Sequence, residues 1–203
     1  MGIFSNLFGK KSSVAVQSSS MRNQETHISF ITDRLMSIDS IEFMGSYRKS
    51  NSGKWLIGWC DSDRSRGIGG HRESGFGSYV LYDAENEVVV SRGASLERPN
   101  GGAVSDDGTF SLEDWHFGND LSSTLYVFSQ DGCVLLERKF TANIFNSGLS
   151  STGLYAACQT ANSRTEDGNK LSFFSVQDNK ELFSVHPESG CADRYEYDEA
   201  NKW

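Results

Sequence analysis

The chain has 203 residues, of which 37% are hydrophobic and 12% aromatic, so it can bury a sizeable core and is not disordered throughout. The formal net charge of −8 argues against general nucleic-acid binding, because an acidic surface repels phosphate backbones. No long apolar run indicates an export signal or a membrane span, and the four cysteines form no Cys-x-x-Cys pair. We therefore expect a cytoplasmic protein.

Residues 1–26 are predicted to precede the folded domain as an amphipathic segment and a Ser-rich linker. At their start, four apolar residues share one face of a short helix and two lysines follow: Ile3, Phe4, Leu7, Phe8, Lys10 and Lys11. This pattern is typical of a helix that docks on a membrane surface or a partner, and equally of a helix packed on its own domain. The folded domain is expected over residues 27–203.

The domain opens with two alternating runs, residues 27–32 and 41–47, that predict strands. A repeat follows, in which the aromatic residues Tyr82, Phe128 and Phe174 stand 46 residues apart. Each lies in a short apolar run followed by an Asn, Asp or Gly turn and a second apolar run. Such turn residues favour tight hairpins, so each repeat is predicted to contain one.

A second recurring turn lies upstream of each hairpin, in residues 50–55, 105–110 and 150–155. In all three copies a Ser begins the turn, a Gly follows three residues later, and an aromatic residue enters the next strand. Each unit therefore predicts a four-stranded antiparallel meander of about 46 residues, at about 40–92, 100–139 and 144–185.

These turns resemble the Ser-Pro-Asp-Gly-Lys turn of WD40 and TolB-like β-propeller repeats, although the Pro is missing and the Trp-Asp and Gly-His pairs of true WD40 repeats are absent. Residues 125–132 are similar to the third strand of those repeats and its closing turn. The resemblance covers about residues 40–203 and implies an all-β fold of three to four blade-like meanders, a partial or open propeller.

A fourth unit begins near Gly190, and its end at residues 198–203 is similar to residues 51–55, with Asn201 where Gly is expected. A closed ring normally needs at least four blades, so the ends of this arc need a cover. Three covers are open: the chain's own N-terminal segment, another copy in a homo-oligomer, or a larger assembly. Residues 27–33 would supply one strand to the last blade.

Two loops are predicted to project from one face of the blades, and long loops in compact domains are often functional. Residues 61–77 are glycine-rich and locally basic, which suits carboxylate or phosphate recognition, and residues 114–120 carry an aromatic cluster. The alternatives are a solvated loop and aromatic side chains that fold into the core. The predicted partner-binding residues are Arg64, Arg66, His71, Arg72, Trp115, His116, Phe117 and Phe145.

No catalytic residue, metal site or cofactor is predicted, because the four histidines lack metal-ligand spacing and no Gly-x-Ser-x-Gly elbow is present. The best acid–base cluster would be Glu113 and Asp114 beside His116. We therefore expect a non-catalytic protein-interaction module, a subunit or accessory factor of a multiprotein complex. The alternatives are an inhibitor or immunity-type protein that blocks a basic toxin or nuclease, and a propeller-type hydrolase or ligand-binding domain, with glycan hydrolysis as the chemistry.

Overall fold

The fold is all-β, as the repeats predict. The computed structural model describes residues 26–69 and 72–199, so the predicted N-terminal helix, the lysines that follow it and His71 lie outside the described residues. Within the described residues the regular structure is fourteen β-strands and two short 3₁₀ helices, arranged in three antiparallel sheets that do not close into a ring.

The first sheet has six strands in chain order, because a short N-terminal hairpin extends a four-stranded meander. Its strands are β1 (Ser29–Phe30), β2 (Leu35–Ile38), β3 (Phe43–Lys49), β4 (Trp55–Cys60), β5 (Gly77–Asp83) and β6 (Val88–Leu96). The predicted strand over residues 27–32 is therefore only two residues long, and β2 was not predicted. The prediction that residues 27–33 supply a strand to the last blade is wrong, since β1 pairs with β2 in the first sheet.

The second and third sheets are four-stranded meanders of the kind seen in propeller blades. The second contains β7 (Pro99–Val104), β8 (Phe110–Trp115), β9 (Ser123–Phe128) and β10 (Val134–Phe140). The third contains β11 (Ile144–Leu149), β12 (Tyr155–Thr160), β13 (Leu171–Ser175) and β14 (Lys180–Val185). The predicted hairpins and unit boundaries are confirmed to within a few residues.

The recurring Ser-x-x-Gly turns connect the first and second strands of each meander. Gly53, Gly108 and Gly153 have φ values of 77°, 84° and 73°, a left-handed conformation that glycine adopts without a steric penalty. The Ser50 and Ser150 hydroxyls each accept a hydrogen bond from the backbone N–H five residues later, at 3.2 Å. The repeated sequence is thus explained by turn geometry.

Two apolar layers hold the three sheets together. Between the first and second sheets, Trp59, Leu81 and Phe110 are buried with their neighbours, and the rings of Phe110 and Phe128 stack at 5.0 Å. Between the second and third sheets, Leu125 and its neighbours bury the facing side of β12. Each sheet therefore supplies one side of a core that a single blade cannot form.

The outward face of the first sheet is covered by the chain itself. Met36 and Phe43 from β2 and β3 pack on the face formed by Leu56 and Val80. The backbone just before β1 crosses the same face, where the Tyr82 hydroxyl donates a hydrogen bond to the Thr26 carbonyl at 2.6 Å. At this end the cover is therefore supplied by Thr26 and by the strands β2 and β3, whereas residues 1–25 of the predicted N-terminal cover lie outside the described residues.

A C-terminal segment, residues 190–199, covers part of the outward face of the third sheet. No strand is assigned within it, so the predicted fourth unit contributes an extended segment and no sheet among the described residues. Tyr197 donates a hydrogen bond from its hydroxyl to the Gly148 carbonyl at 2.8 Å, and the Tyr195 hydroxyl bonds the Asn146 side chain. We call residues 190–199 the tail.

Candidate protein-binding surface

The predicted binding loops do lie at one end of the sheets. The loop between β4 and β5 and the connection from β6 to β7 leave the first sheet at the same end, where Gly77 pairs with Leu96. Hydrogen bonds then join this end to the second sheet, because Arg98 contacts Asp61 at 3.2 Å and its backbone N–H donates to Asp114 at 2.7 Å. We call this end the loop face; its described residues are 61–69, 72–76, 97–98, 116–122, 141–145 and 161–170.

Arg72 is the structural centre of the loop face. Its side chain donates to the Asp61 carbonyl at 2.8 Å, to the Asp61 carboxylate at 2.9 Å and to the Ser74 carbonyl at 3.2 Å, and it also bonds the Glu97 carbonyl. The guanidinium lies 4.9 Å from the centre of the Phe117 ring, and the residue is only 6% exposed. Five N–H donors in a fixed fork suit this role, in which one side chain ties three backbone segments together. Arg72 was predicted to contact a partner, but its bonds are made within the chain.

The aromatic cluster of the second loop is partly buried. The Trp115 indole N–H donates to the Ile144 carbonyl at 3.2 Å, and the Phe117 ring lies beneath Arg72. The two ring nitrogens of His116 lie 3.0 Å and 2.9 Å from the hydroxyls of Ser122 and Thr124. These three residues therefore fix the loop, and their contacts leave few polar groups for a partner.

The loop face exposes apolar and cationic side chains alongside the carboxylates of Glu73, Asp120 and Glu166. Phe76 is 53% exposed and Phe145 is 54% exposed, and Leu121 is also exposed. Arg64 forms no ion pair with any described residue, and the guanidinium of Arg66 donates a hydrogen bond to the Ser74 hydroxyl at 2.9 Å. Phe76 and Leu121 were not selected from the sequence, although an aromatic residue at the end of a glycine-rich loop is a usable signal.

The Asp63 carboxylate gives the segment around Arg64 and Phe76 a defined shape. It accepts hydrogen bonds from the Ser65 hydroxyl at 2.6 Å and from the backbone N–H groups of Arg66 and Phe76 at 3.2 Å each. The Ser65 hydroxyl contributes most to holding the pKa of Asp63 below its ordinary value. A binding surface on this loop is therefore preorganised, which lowers the entropic cost of association.

A cavity of about 450 Å³ lies between the innermost strands of the three sheets and the tail. Arg48, Gly101, Ser147 and Tyr195 are among the residues that line it, together with the buried carboxyl of Glu113. Burial raises the pKa of Glu113 to about 7, against the effect of the Ser147 hydroxyl, which donates to this carboxyl at 2.7 Å. The sequence did not indicate that Arg48 and Tyr195 line the same space.

Glu113 and Asp114 do not share a site, because neighbouring residues of β8 point to opposite faces of the sheet. Glu113 faces Ser147 and the cavity. Asp114 accepts hydrogen bonds from the backbone of Glu97 and Arg98, and burial raises its pKa to about 6. The acid–base cluster considered from the sequence is therefore not assembled around His116.

The described residues contain no group of three or more His, Cys, Asp or Glu side chains placed to hold a metal ion. No helix in the described part of the chain has the length and apolar character needed to cross a membrane.

No family model matches the sequence, and no curated protein matches it significantly. Solved structures with a similar backbone include the three that follow. A chain of the mitotic checkpoint complex aligns over 77% of this chain with 10% identity and a TM-score of 0.43. U3-55K aligns over 71% with 10% identity and a TM-score of 0.44. The β-propeller domain of Cps50 (Swd1) from Myceliophteria thermophila aligns over 84% with 8% identity and a TM-score of 0.44. This chain covers 47%, 39% and 58% of those chains, respectively.

Proposed function

We propose that this protein is a non-catalytic protein-interaction module that binds a protein partner through its loop face, as a subunit or accessory factor of a multiprotein complex. The observation that carries the proposal is that exposed apolar side chains lie on a preorganised loop with an arginine that has no ion-pair partner among the described residues. Phe76 and Arg64 are the main members, and aromatic and arginine side chains dominate the binding energy of many interfaces.

Hydrogen bonds within the chain distinguish the residues that support this surface from the residues available to contact a partner. Arg72, Trp115 and His116 hold the loops in place, and we assign them this supporting role. Arg64, Arg66, Phe76 and Phe145 are then the residues that meet the partner. We do not propose glycan hydrolysis, because Glu113 and Asp114 point to opposite faces of β8.

The test is a pull-down from lysate of the native host with the tagged full chain, followed by mass spectrometry. The variant Arg64→Ala/Phe76→Ala should lose a stoichiometric partner that the wild type retains. The matched control is Val90→Ala/Arg92→Ala, which also removes one exposed apolar and one exposed cationic side chain, on the outermost strand β6. Equal recovery with both variants, or no partner with the wild type, would contradict the proposal.

A further inference from the structure

The outward face of the third sheet exposes side chains whose equivalents are buried elsewhere. Phe183 pairs with Phe173 across β13 and β14, as Leu136 pairs with Val127 across β9 and β10. Leu136 is 2% exposed beneath the third sheet, whereas Phe183 is 42% exposed. The outward face of the third sheet therefore carries the same kind of apolar side chains as the face of the second sheet that the third sheet covers.

The tail lies where the first strand of a following blade would lie. In the repeat register Asp106 of the second Ser-x-x-Gly turn corresponds to Glu199 of the tail. Asp106 accepts a hydrogen bond from the Ser52 backbone in the preceding turn, at 2.7 Å. Glu199 accepts one from the Thr152 hydroxyl in the corresponding place, at 2.8 Å. The same carboxylate contact thus joins the first sheet to the second and the third sheet to the tail.

A second pair of contacts supports this placement. Glu113 stands opposite Leu125 in the second sheet and accepts a hydrogen bond from Ser147 of β11. Gln159 stands opposite Leu171 in the third sheet and accepts a hydrogen bond from the Ala192 backbone of the tail at 2.8 Å. The tail therefore lies on the third sheet as β11 lies on the second, although no described strand pairs with it. Among the described residues, the backbone of residues 192–197 forms no hydrogen bond to another backbone group.

The side chains of the tail alternate between partly buried and exposed positions along residues 194–199. Tyr195, Tyr197 and Glu199 are partly buried against the third sheet, whereas Arg194, Glu196 and Asp198 are exposed. Residues 188–199 contain five acidic residues and one basic residue, so the segment is strongly negative. A strand pairing with the tail would place apolar side chains toward Phe173 and Phe183 and basic side chains beside the exposed acids, because cross-strand neighbours lie on the same side of a sheet.

We propose that the tail and the outward face of the third sheet dock β-strands of another protein, with alternating apolar and Lys or Arg residues, which complete a fourth blade in trans. The strands add to the tail by main-chain hydrogen bonds, and their apolar side chains cover Phe173, Phe183 and Val185. A second copy of this chain fits less well, since a two-fold interface at this face would bring two acidic tails together. This surface is separate from the loop face.

The probe is a synthetic β-hairpin of about twelve residues in which Lys and Val alternate around an Asn-Gly turn. A second hairpin has Glu in place of every Lys. We expect the Lys hairpin to bind the full chain and the Glu hairpin not to bind, as measured by fluorescence anisotropy. We also expect slower amide hydrogen exchange over residues 192–199 when the Lys hairpin is bound, since its backbone would pair with the tail.

Two matched pairs of variants locate the contact. Phe183→Ser/Val185→Ser should weaken Lys-hairpin binding by about tenfold or more, whereas Phe76→Ser/Leu121→Ser, on the loop face, should leave it unchanged. Glu196→Gln/Asp198→Asn should weaken binding several-fold, on the order of two exposed cross-strand charge pairs, whereas Glu73→Gln/Glu166→Gln should not. Because all these side chains are exposed, the variants are expected to fold, and circular dichroism will confirm it.

Three results would overturn the proposal. The first is equal binding of the two hairpins, or no binding of the Lys hairpin. The second is equal binding by the Phe183/Val185 variant and the Phe76/Leu121 variant. The third is concentration-dependent self-association of the free chain with protection of residues 192–199, which would assign this face to a second copy.

Discussion

The first and third sheets each end the arc of blades, yet their outward faces are covered to different extents. On the first sheet the cover is continuous with the sheet itself, since β2 pairs with β3 through backbone hydrogen bonds and places Met36 against the apolar face. On the third sheet the cover is the tail, which is held mainly by side-chain contacts such as that of Tyr197. The comparison shows that added strands can cover the outward face of a terminal blade. A single extended segment leaves the side chains of the outermost strand, such as Phe183, exposed.

The largest expected effect is a difference in lost unfolding free energy between a covered position, Leu136, and its exposed equivalent, Phe183. Leu136→Ala should lower the free energy of unfolding by about 2–5 kcal/mol, because it opens a cavity beneath the third sheet. Phe183→Ala should lower it by less than about 1 kcal/mol, because the ring is already half-exposed in the free chain. Urea unfolding of the two variants measures both values. Similar losses would show that the outward face of the third sheet is already covered.

The next effect concerns the buried carboxyl at the junction of the second and third sheets. Glu113 has a pKa of about 7 in the folded chain, above its ordinary value of 4.5, because it is buried. The folded state therefore keeps a proton that the unfolded state loses above about pH 4.5, so stability falls as pH rises through pH 7.

Glu113→Gln should remove this dependence and raise the free energy of unfolding at pH 8 by up to about 3 kcal/mol, with little change at pH 4. Urea unfolding at both pH values tests it. At the junction between the third sheet and the tail, the uncharged side chain of Gln159 takes the place of Glu113, so the substitution Gln159→Met should leave the slope of stability between pH 5 and pH 7 unchanged. A Glu113→Gln variant with the wild-type pH slope would contradict the assignment.

A third pair of variants compares how tightly the two covers pack. A methyl group on Gly45 of β3 would lie 2.2 Å from the Trp59 carbonyl oxygen, so backbone must move, and Gly45→Ala should cost about 1–3 kcal/mol. A methyl group on Gly148 would lie 2.9 Å from the Tyr195 ring, which can shift with the tail. Gly148→Ala should therefore cost less than Gly45→Ala in thermal or urea unfolding. The reverse order would mean that the tail is the more rigid cover.

The smallest expected effect concerns the tail alone. Tyr197→Phe removes the hydrogen bond to the Gly148 carbonyl and should cost about 1 kcal/mol of stability. The exchange of tail amides should accelerate at the same time, with Tyr155→Phe on the third sheet as the control for loss of a hydroxyl. An unchanged exchange rate would show that the tail is held by its other contacts.

Much of the fold was predictable, because the repeated turns have a local cause. The Ser at position 50 and the Gly at position 53 define a turn by themselves. Because this turn occurs three times, its positions predict the three meanders and their boundaries. The N-terminal hairpin was not predictable to the same degree. β1 has only two residues, and its pairing with β2 depends on the apolar face that β4 and β5 form later in the chain.

The candidate surface was predictable as a location and less so residue by residue. The position of both loops follows from the order of the strands, and the structure confirms that they share one end of the sheets. The sequence does not say which arginine of a cluster is buried. Arg72 is buried because Asp61 and the Glu97 carbonyl, from other segments, converge on it, whereas Arg64 meets no such partner among the described residues.

The central claim is that one end of the arc is sealed by the chain itself and the other is left for a partner. Amide hydrogen exchange of the free chain tests it most directly, because paired and unpaired backbone exchange at different rates. We predict strong protection across β2 and β3, comparable to that of β8, together with rapid exchange over residues 192–197. Equal, strong protection of residues 192–197 in the free monomer would contradict the claim, since it would show that the tail already has a backbone partner.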